Sequence, residues 1–423
     1  MPEIDFLDTQ TASDDSRDAA RRVRDMAGLA GVLAGVYAAC LVGLVIENPL
    51  VLVAYLAGVT VVIVAVRRIA AFAAWLRQAL SQHRRFAWGL VVAMLAAYPM
   101  IFVDDPYLIH IGALAGIFAV MALGLNITLG LAGLLDVGFA VYFAAGAYTS
   151  AQLATIFGVD FWIGLPLGGL VAAIFGFCVA WPALRVQGHY LAMVTLGYGL
   201  IMNILHRNLR GVTNGTDGVI NIPPPAIGGH EFIDAITVFG LELPFQANFY
   251  YLAVVLTGFA FLVNVRLRDS NLGRCWEAIR EDQVAAQCFA IDLTWLKVLA
   301  FSTGAFFGGL GGATFAHMIG FIHPDNFILL TSITVLAMVL IGGMGNPFGV
   351  VVGAVLLILI PERLREFENL RLLLFGGAMA LIMIYRPQGL FPGTRRRRLL
   401  EKAKMEKLIE ESGKADAHVR PVN

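Results

Sequence analysis

Charge is what this sequence has least of: 14% of its 423 residues are Asp, Glu, Lys or Arg, while 58% are apolar. Soluble domains carry about a quarter charged residues, so an ordinary water-soluble fold is excluded. Cysteine is scarce as well. Of the four, Cys40 and Cys178 lie inside apolar runs and Cys275 and Cys288 share one polar stretch, which is no disulfide framework. The phosphate cradle of a nucleotide hydrolase is missing: no G-x-x-x-x-G-K-[ST] run occurs, and Ser412-Gly413-Lys414-Ala415 lacks both the spacing and the hydroxyl. No histidine pair has zinc-ligand spacing, and no Ser, His and Asp set stands outside the apolar runs. Nothing here supports an enzyme, a metal site or a cofactor. The N-terminal stretch also lacks the basic-then-apolar order of a cleaved signal, because Asp5, Asp8, Asp14 and Asp15 precede Arg21, Arg22 and Arg24. The N-terminus is expected to be retained, on the inner side.

What the chain does have is long uncharged stretches, and a bilayer core of roughly 30 Å needs about 20 helical residues. Twelve candidate spans follow, at residues 26–46, 50–66, 86–102, 109–127, 138–157, 161–180, 190–205, 249–265, 298–321, 328–341, 347–360 and 372–385. The expected fold class is all-α, a polytopic bundle of transmembrane helices. With the N-terminus inside, all but five of the 30 Lys and Arg fall on the inner side, the exceptions being Arg207, Arg210, Arg363, Arg365 and Arg371. That asymmetry obeys the positive-inside rule and puts both termini in the cytoplasm, with the loop from His206 to Asn248 outside. Three divisions are expected: an N-terminal segment with extra helices at 1–104, a core at 105–393 and a basic tail at 394–423.

Several joints are more than simple turns. NITLGLAGLLDVG from Asn126 and GGMGNPFG from Gly342 interrupt apolar helix with glycine. Such a break reads either as a tight loop between spans or as a pathway-lining interruption, tolerated where protein or a water-filled cavity satisfies the backbone. Ile69, Phe72, Leu76 and Leu80 share a face opposite arginines between Arg67 and Arg85, as in an interfacial helix or an extension of the second span. The run RRRRLLEKAKMEK from Arg395 would lie against anionic lipid headgroups; nucleic acid is a poor partner for a run that directly follows a span. Gly304, Gly308 and Gly312, Gly345, Gly349 and Gly353, and Gly164 with Gly168 recur at i+4, which lets helices approach closely in lipid.

Ionisable groups are nearly absent from the spans, unlike a proton-driven carrier. Asp136 and His317 are expected to serve as capping or interface residues. A path for a small polar solute would be lined by polar groups and broken backbone instead, from Asn126, Thr128, Gly133, Asp136, Tyr148, Thr195, Tyr198, Asn203, Ser302 and Thr334. Most such groups in spans only bond a neighbouring helix. Between Arg266 and Lys297 lies a long charged loop in which Trp276, Ile279, Val284 and Cys288 form an apolar stripe beside Arg280, Glu281 and Asp282. It reads as a helix that docks a partner or lies on headgroups.

At this loop GRCWEAIREDQVAAQCFAIDLTWLKVLAF resembles the cytoplasmic coupling loop of permeases in bacterial ABC importers for branched-chain amino acids. LNITLGLAGLLDVGFAVYFAAGAYTSA, LRVQGHYLAMVTLGYG, TNGTDGV, HPDNFILLTSITVLAMVLIGGMGNPFGVVVGAVLL, PERLRE and FGGAMALIMIYRPQGL are similar to further segments of that family, in the same order. The resemblance covers residues 105–393 and is nearest the M-type subunit. Two positions depart from the pattern: Asp136 replaces a small hydroxyl residue, and Ala290 a glycine. The resemblance implies the ABC importer permease fold with broken helices in a bacterial inner membrane. Its implied partners are a paralogous permease subunit, cytoplasmic ATP-binding subunits and a periplasmic solute-binding protein. The ATPase contact would fall on Arg274, Glu277, Ala278, Arg280, Glu281 and Asp282. The alternatives are import of urea or short amides by the same architecture, or a stand-alone secondary carrier.

Overall fold

The structure is a computed structural model. It describes residues 24–39, 82–183, 188–238, 241–289 and 291–363, with 41–43, 45, 58, 75, 78, 79, 186, 376, 377, 380 and 389–391. The expected spans at 50–66 and 372–385, most of the interfacial helix, Ala290 and the basic tail lie outside the described residues. The chain divides into two compact units, Met1–Leu108 with Arg363–Glu366, and Ile109–Glu362 with Phe367–Asn423.

In the first unit α1 (Arg24–Gly43) and α2 (Arg84–Ile101) are apolar helices joined by the Tyr37 hydroxyl, which donates to the Met94 carbonyl at 2.8 Å. Next comes α3 (Pro106–Leu125), which from Ile109 onward belongs to the second unit and whose sides are apolar all round, as suits a helix enclosed by protein or lipid. Asn126–Leu131 continues α3 as a π-helical turn, with the Ala132 amide bonding the Ile127 carbonyl at 3.2 Å. All six residues of that turn are buried.

The second unit contains α4 (Ala140–Phe157), α5 (Phe161–Ala183), α6 (His189–Asn208), α7 (Arg210–Thr213), α8 (Gln246–Arg268), α9 (Asn271–Glu281), α10 (Gln283–Cys288), α11 (Leu293–Ile319), α12 (Leu329–Gly342) and α13 (Pro347–Arg363). Gly158 and Gly320 end α4 and α11 in the left-handed conformation, the usual glycine stop. Helix α11 is the centre, packed along α4 and α5. The expected glycine stripe makes this possible: a methyl on Gly312 would run into the Phe143 carbonyl of α4, one on neighbouring Gly309 would stand 2.5 Å from Ala172 Cβ of α5, and one on Gly304 would stand 2.8 Å from the Gly124 carbonyl of α3.

Among the described residues five helices are long and apolar enough to cross a membrane: Arg24–Gly43, Pro106–Leu131, Phe161–Pro182, Gln246–Arg268 and Leu293–Ile319. Shorter apolar helices occur at Arg85–Ile101, Leu329–Gly342 and Pro347–Leu359. Span by span, the count of twelve therefore goes beyond what helix length alone carries.

The all-helical expectation needs one correction, in the loop between α6 and α8. There β1 (Ala226–Ile227) pairs antiparallel with β2 (His230–Glu231), and β3 (Ile236–Val238) with β4 (Leu241–Leu243). Gly228 and Gly229, at φ of 60° and 91°, make the first reversal. A long loop must pair its backbone groups somewhere, and these ribbons do so. Val219 and Ile322 exchange amide bonds of 3.0 and 2.9 Å, and the His317 ring donates from Nδ1 to the Pro223 carbonyl at 2.7 Å while Nε2 accepts from the Ser150 hydroxyl at 2.9 Å. His317 is thus an interface residue fixing this loop to α11.

Candidate coupling and translocation site

Three side-chain caps in succession shape the loop between α8 and α11. Ser270 accepts from the Gly273 amide at 3.2 Å and starts α9. Asp282 accepts from Val284 and Ala285 at 2.8 and 3.1 Å and starts α10; Asp292 does the same for Thr294 and Trp295 at 3.0 and 3.1 Å and starts α11. Helix α9 is held down by Trp276 and Ile279, both fully buried, and the Trp276 indole donates to the Leu296 carbonyl at 2.8 Å. Lys297 adds a bond from Nζ to Gln283 at 2.9 Å. The expected apolar stripe is split. Val284 and Phe289 are 70% and 81% exposed, and Cys288 is exposed too.

The six expected coupling residues have different surroundings. Glu277 and Ala278 are half-buried, while Arg274 and Glu281 are exposed, with Arg274 donating to the Asn271 side chain. Asp282 is exposed, and its carboxylate is engaged in capping. Arg280 counts among the exposed residues, but its stem passes Gly133 and Nη1 donates to the Gly130 carbonyl in the π turn after α3.

That π turn is the hub of the buried polar groups. Asn126 donates to the Asn264 side chain on α8 at 3.1 Å and accepts from the Gly345 amide at 2.9 Å. Asn264 donates in turn to the Leu123 and Ala260 carbonyls, each at 3.1 Å. Thr128 bonds the Leu125 carbonyl at 3.0 Å. After the turn the chain runs without regular structure past Gly133, at φ of 71°, to Asp136. The Val137 amide bonds Thr195 of α6 at 3.0 Å and the Ala140 amide bonds Ser332 of α12 at 2.8 Å, so the break is clamped from both sides. Asp136 is fully buried, with one carboxylate oxygen accepting from the Gly138 amide at 3.0 Å. No hydrogen bond of ordinary geometry joins Tyr142 to the other oxygen.

The expected path residues fall into two layers. Asn126, Thr128, Gly133, Asp136 and Thr195 belong to the break, with half-buried Tyr198 next on α6. Tyr148, Asn203 and Thr334 gather around the 3-10 turn Pro324–Phe327 instead: Tyr148 stacks on His206 with ring centres 4.9 Å apart, and Asn203 donates to the Pro324 carbonyl at 3.1 Å. Thr334 lines an open cleft of about 450 Å³ whose walls are Phe118, Phe143, Phe315 and Ile328, with Asn326 and Thr331 as polar points. Ser302 is half-buried on α11. Asn264 and Ser332 were missed by sequence reasoning, though a lone Asn in the apolar run FAFLVNV was a signal for the first.

Comparison with known proteins agrees with this architecture. The profile of the branched-chain amino acid transport system permease component matches residues 107–383. The high-affinity branched-chain amino acid transport system permease protein LivM of Salmonella typhimurium is 40% identical over 68% of this chain and 70% of its own length. LivM of Escherichia coli is 39% identical over 72% of this chain and 75% of its own, and LivH of that organism is 22% identical over 58% and 80%. No solved structure matches. With the family profile spanning the interrupted α3, the capped loop and the helices around α11, the chain belongs to the branched-chain amino acid transport system permease family.

Proposed function

We propose that this protein is the M-type permease subunit of an ATP-driven importer for branched-chain amino acids, forming half of the translocation pore. The observation that carries the reading is the 40% identity to a LivM permease over 68% of this chain, beside a family profile whose residues 107–383 include the interrupted helix and the capped loop. In this reading the chain has twelve spans, divided at 104 and 393, and lies in a bacterial inner membrane with both termini in the cytoplasm. Its companions are a paralogous LivH-like permease, two cytoplasmic ATP-binding subunits and a periplasmic solute-binding protein. The binding protein meets the loop carrying the β-ribbons. The ATPase meets α9 and α10, where Glu277 and Glu281 supply charge and exposed Val284 and Phe289 supply apolar contact; an apolar centre with a charged rim is the ordinary anatomy of such an interface. The solute passes between the break at Asn126–Gly138 and the cleft near Thr334, where aromatic walls suit an aliphatic side chain and Asp325, Asn326 and Thr331 offer polar points for the charged ends.

The test is leucine uptake into proteoliposomes, with this chain alone and with all four partners, with and without ATP on the ATPase side. ATP-dependent uptake by the complete set alone is expected. Uptake by the single chain driven by an ion gradient refutes the reading, and preference for urea over leucine refutes the substrate class.

A further inference from the structure

Helix α9 and the π turn after α3 are far apart in sequence, yet one side chain joins them. Arg280 leaves α9 near its last turn and its guanidinium donates to the carbonyl of Gly130. That carbonyl stands at the end of a helical segment, where no following amide remains to bond it, and a cation favours the negative end of a helix. The approach is shaped on both sides. Gly133, in the left-handed conformation, lets the Arg280 stem pass: a methyl there would stand 2.5 Å from Arg280 Cγ and 3.0 Å from Cβ. On the far side the Gly345 amide, at φ of 80°, bonds Asn126 within the same π turn. Asn126 also holds Asn264 of α8. A line of contact therefore runs from α9 through Arg280 to Gly130, along the π turn to Asn126, and by hydrogen bonds from Asn126 to the Gly342–Asn346 turn and to α8.

We propose that Arg280 is a positioning residue that ties the ATPase-docking helix to the interrupted α3, so that displacement of α9 is imposed on the π turn beside the solute path. This rests on the reading of the chain as an ATP-driven permease. It assigns Arg280 a task other than docking: its charge serves the inside of this chain, whereas Glu277 and Glu281 serve the partner. A π turn is a suitable receiver, because its wide ring is one residue from resolving to an ordinary α turn.

The experiment uses the complete importer in proteoliposomes, with leucine uptake and ATP hydrolysis measured on the same vesicles. In Arg280→Gln the ATPase subunits co-purify at wild-type stoichiometry, hydrolysis continues, and leucine moved per ATP hydrolysed falls about tenfold or more, the scale of an ordinary coupling energy. Arg280→Lys, which keeps the charge and one donor, recovers part of that ratio; a purely structural side chain would not produce this graded return. Gly133→Ala, which crowds the Arg280 stem without touching its charge, lowers the same ratio. A wild-type ratio in Arg280→Gln overturns the proposal, and so does loss of the ATPase subunits, which would make Arg280 a docking residue. Absence of ATP-dependent uptake in the wild-type vesicles instead sinks the underlying reading, and that result is seen without any variant.

Discussion

Replacing one glycine with alanine at two helix positions separates packing from helix propensity. Gly304 of α11 faces α3 so closely that an added methyl would stand 2.8 Å from the Gly124 carbonyl and 2.9 Å from Thr128 Cγ2, whereas ordinary contact begins at 3.4 Å. Gly258 of α8 has nothing within 4 Å of the same position. Alanine is favoured over glycine inside a helix by up to about 1 kcal/mol, and that gain is common to both variants. The difference between them is the clash alone. Overpacking of this kind costs about 1–3 kcal/mol, because neither a carbonyl nor a β-branched side chain can swing aside. Gly258→Ala is therefore neutral or stabilising by up to about 1 kcal/mol, and Gly304→Ala is destabilising by up to about 2 kcal/mol after the helix gain is subtracted. Thermal unfolding of the purified chain in detergent reads both, since 1 kcal/mol moves a midpoint by about 2–4 °C in a domain of some 200 residues. The reasoning fails if Gly304→Ala melts at or above Gly258→Ala.

Trp276→Ala removes a fully buried indole and its bond to Leu296, a loss of about 3–5 kcal/mol for the local unit; tryptic cleavage after Arg274 and Arg280 in inside-out vesicles is expected to accelerate strongly, and a wild-type rate would show that α9 is held elsewhere. Asp282→Ala costs α10 its cap, about 1 kcal/mol, while Asp282→Asn keeps it; faster hydrogen exchange at Val284 and Ala285 in the first variant only is the expected outcome, and equal exchange in both denies the cap. Glu281→Arg leaves all three caps intact and is expected to weaken ATPase co-purification, because a like charge across an interface costs several kcal/mol; undiminished binding places the contact elsewhere. In a chain cleared of other cysteines, Thr216→Cys is expected to react with an impermeant reagent from outside intact cells and native Cys288 only in inside-out vesicles, and the reverse pattern inverts the topology.

The helical bundle and its glycine contacts were legible because both are local properties: an uncharged run and an i+4 repeat stand in the sequence itself. The charged loop was legible for the same reason, yet the direction of its side chains was not. The apolar stripe Trp276, Ile279, Val284 and Cys288 assumes one continuous helix, but Asp282 is extended, at φ of −153° and ψ of 113°, and the helical phase restarts after it. Trp276 and Ile279 consequently face inward while Val284 faces out. Asp282 reads as one more surface charge until the amides of Val284 and Ala285 are seen beneath it. The β-ribbons are two or three residues per strand, too short for an alternating pattern to register. Contacts such as Arg280 with Gly130 or Asn126 with Gly345 join residues 150 and 219 positions apart, a separation at which spacing in one sequence carries no signal.

Helix α11 has a loop fastened near each end: Trp276 grips it at Leu296, and the β-ribbon loop grips it through Pro223 at His317. Its 27 residues form a rod of about 40 Å at 1.5 Å per residue. A rod gripped at both ends behaves as a lever arm: a tilt of about 5° displaces one end by about 3.5 Å relative to the other over that length. The glycines let α3, α4 and α5 lie tight against it, while Phe301, Phe307 and Leu310 are buried along the same rod. The two loops are thus fastened near opposite ends of one rod, so a tilt of that rod is felt at both attachments.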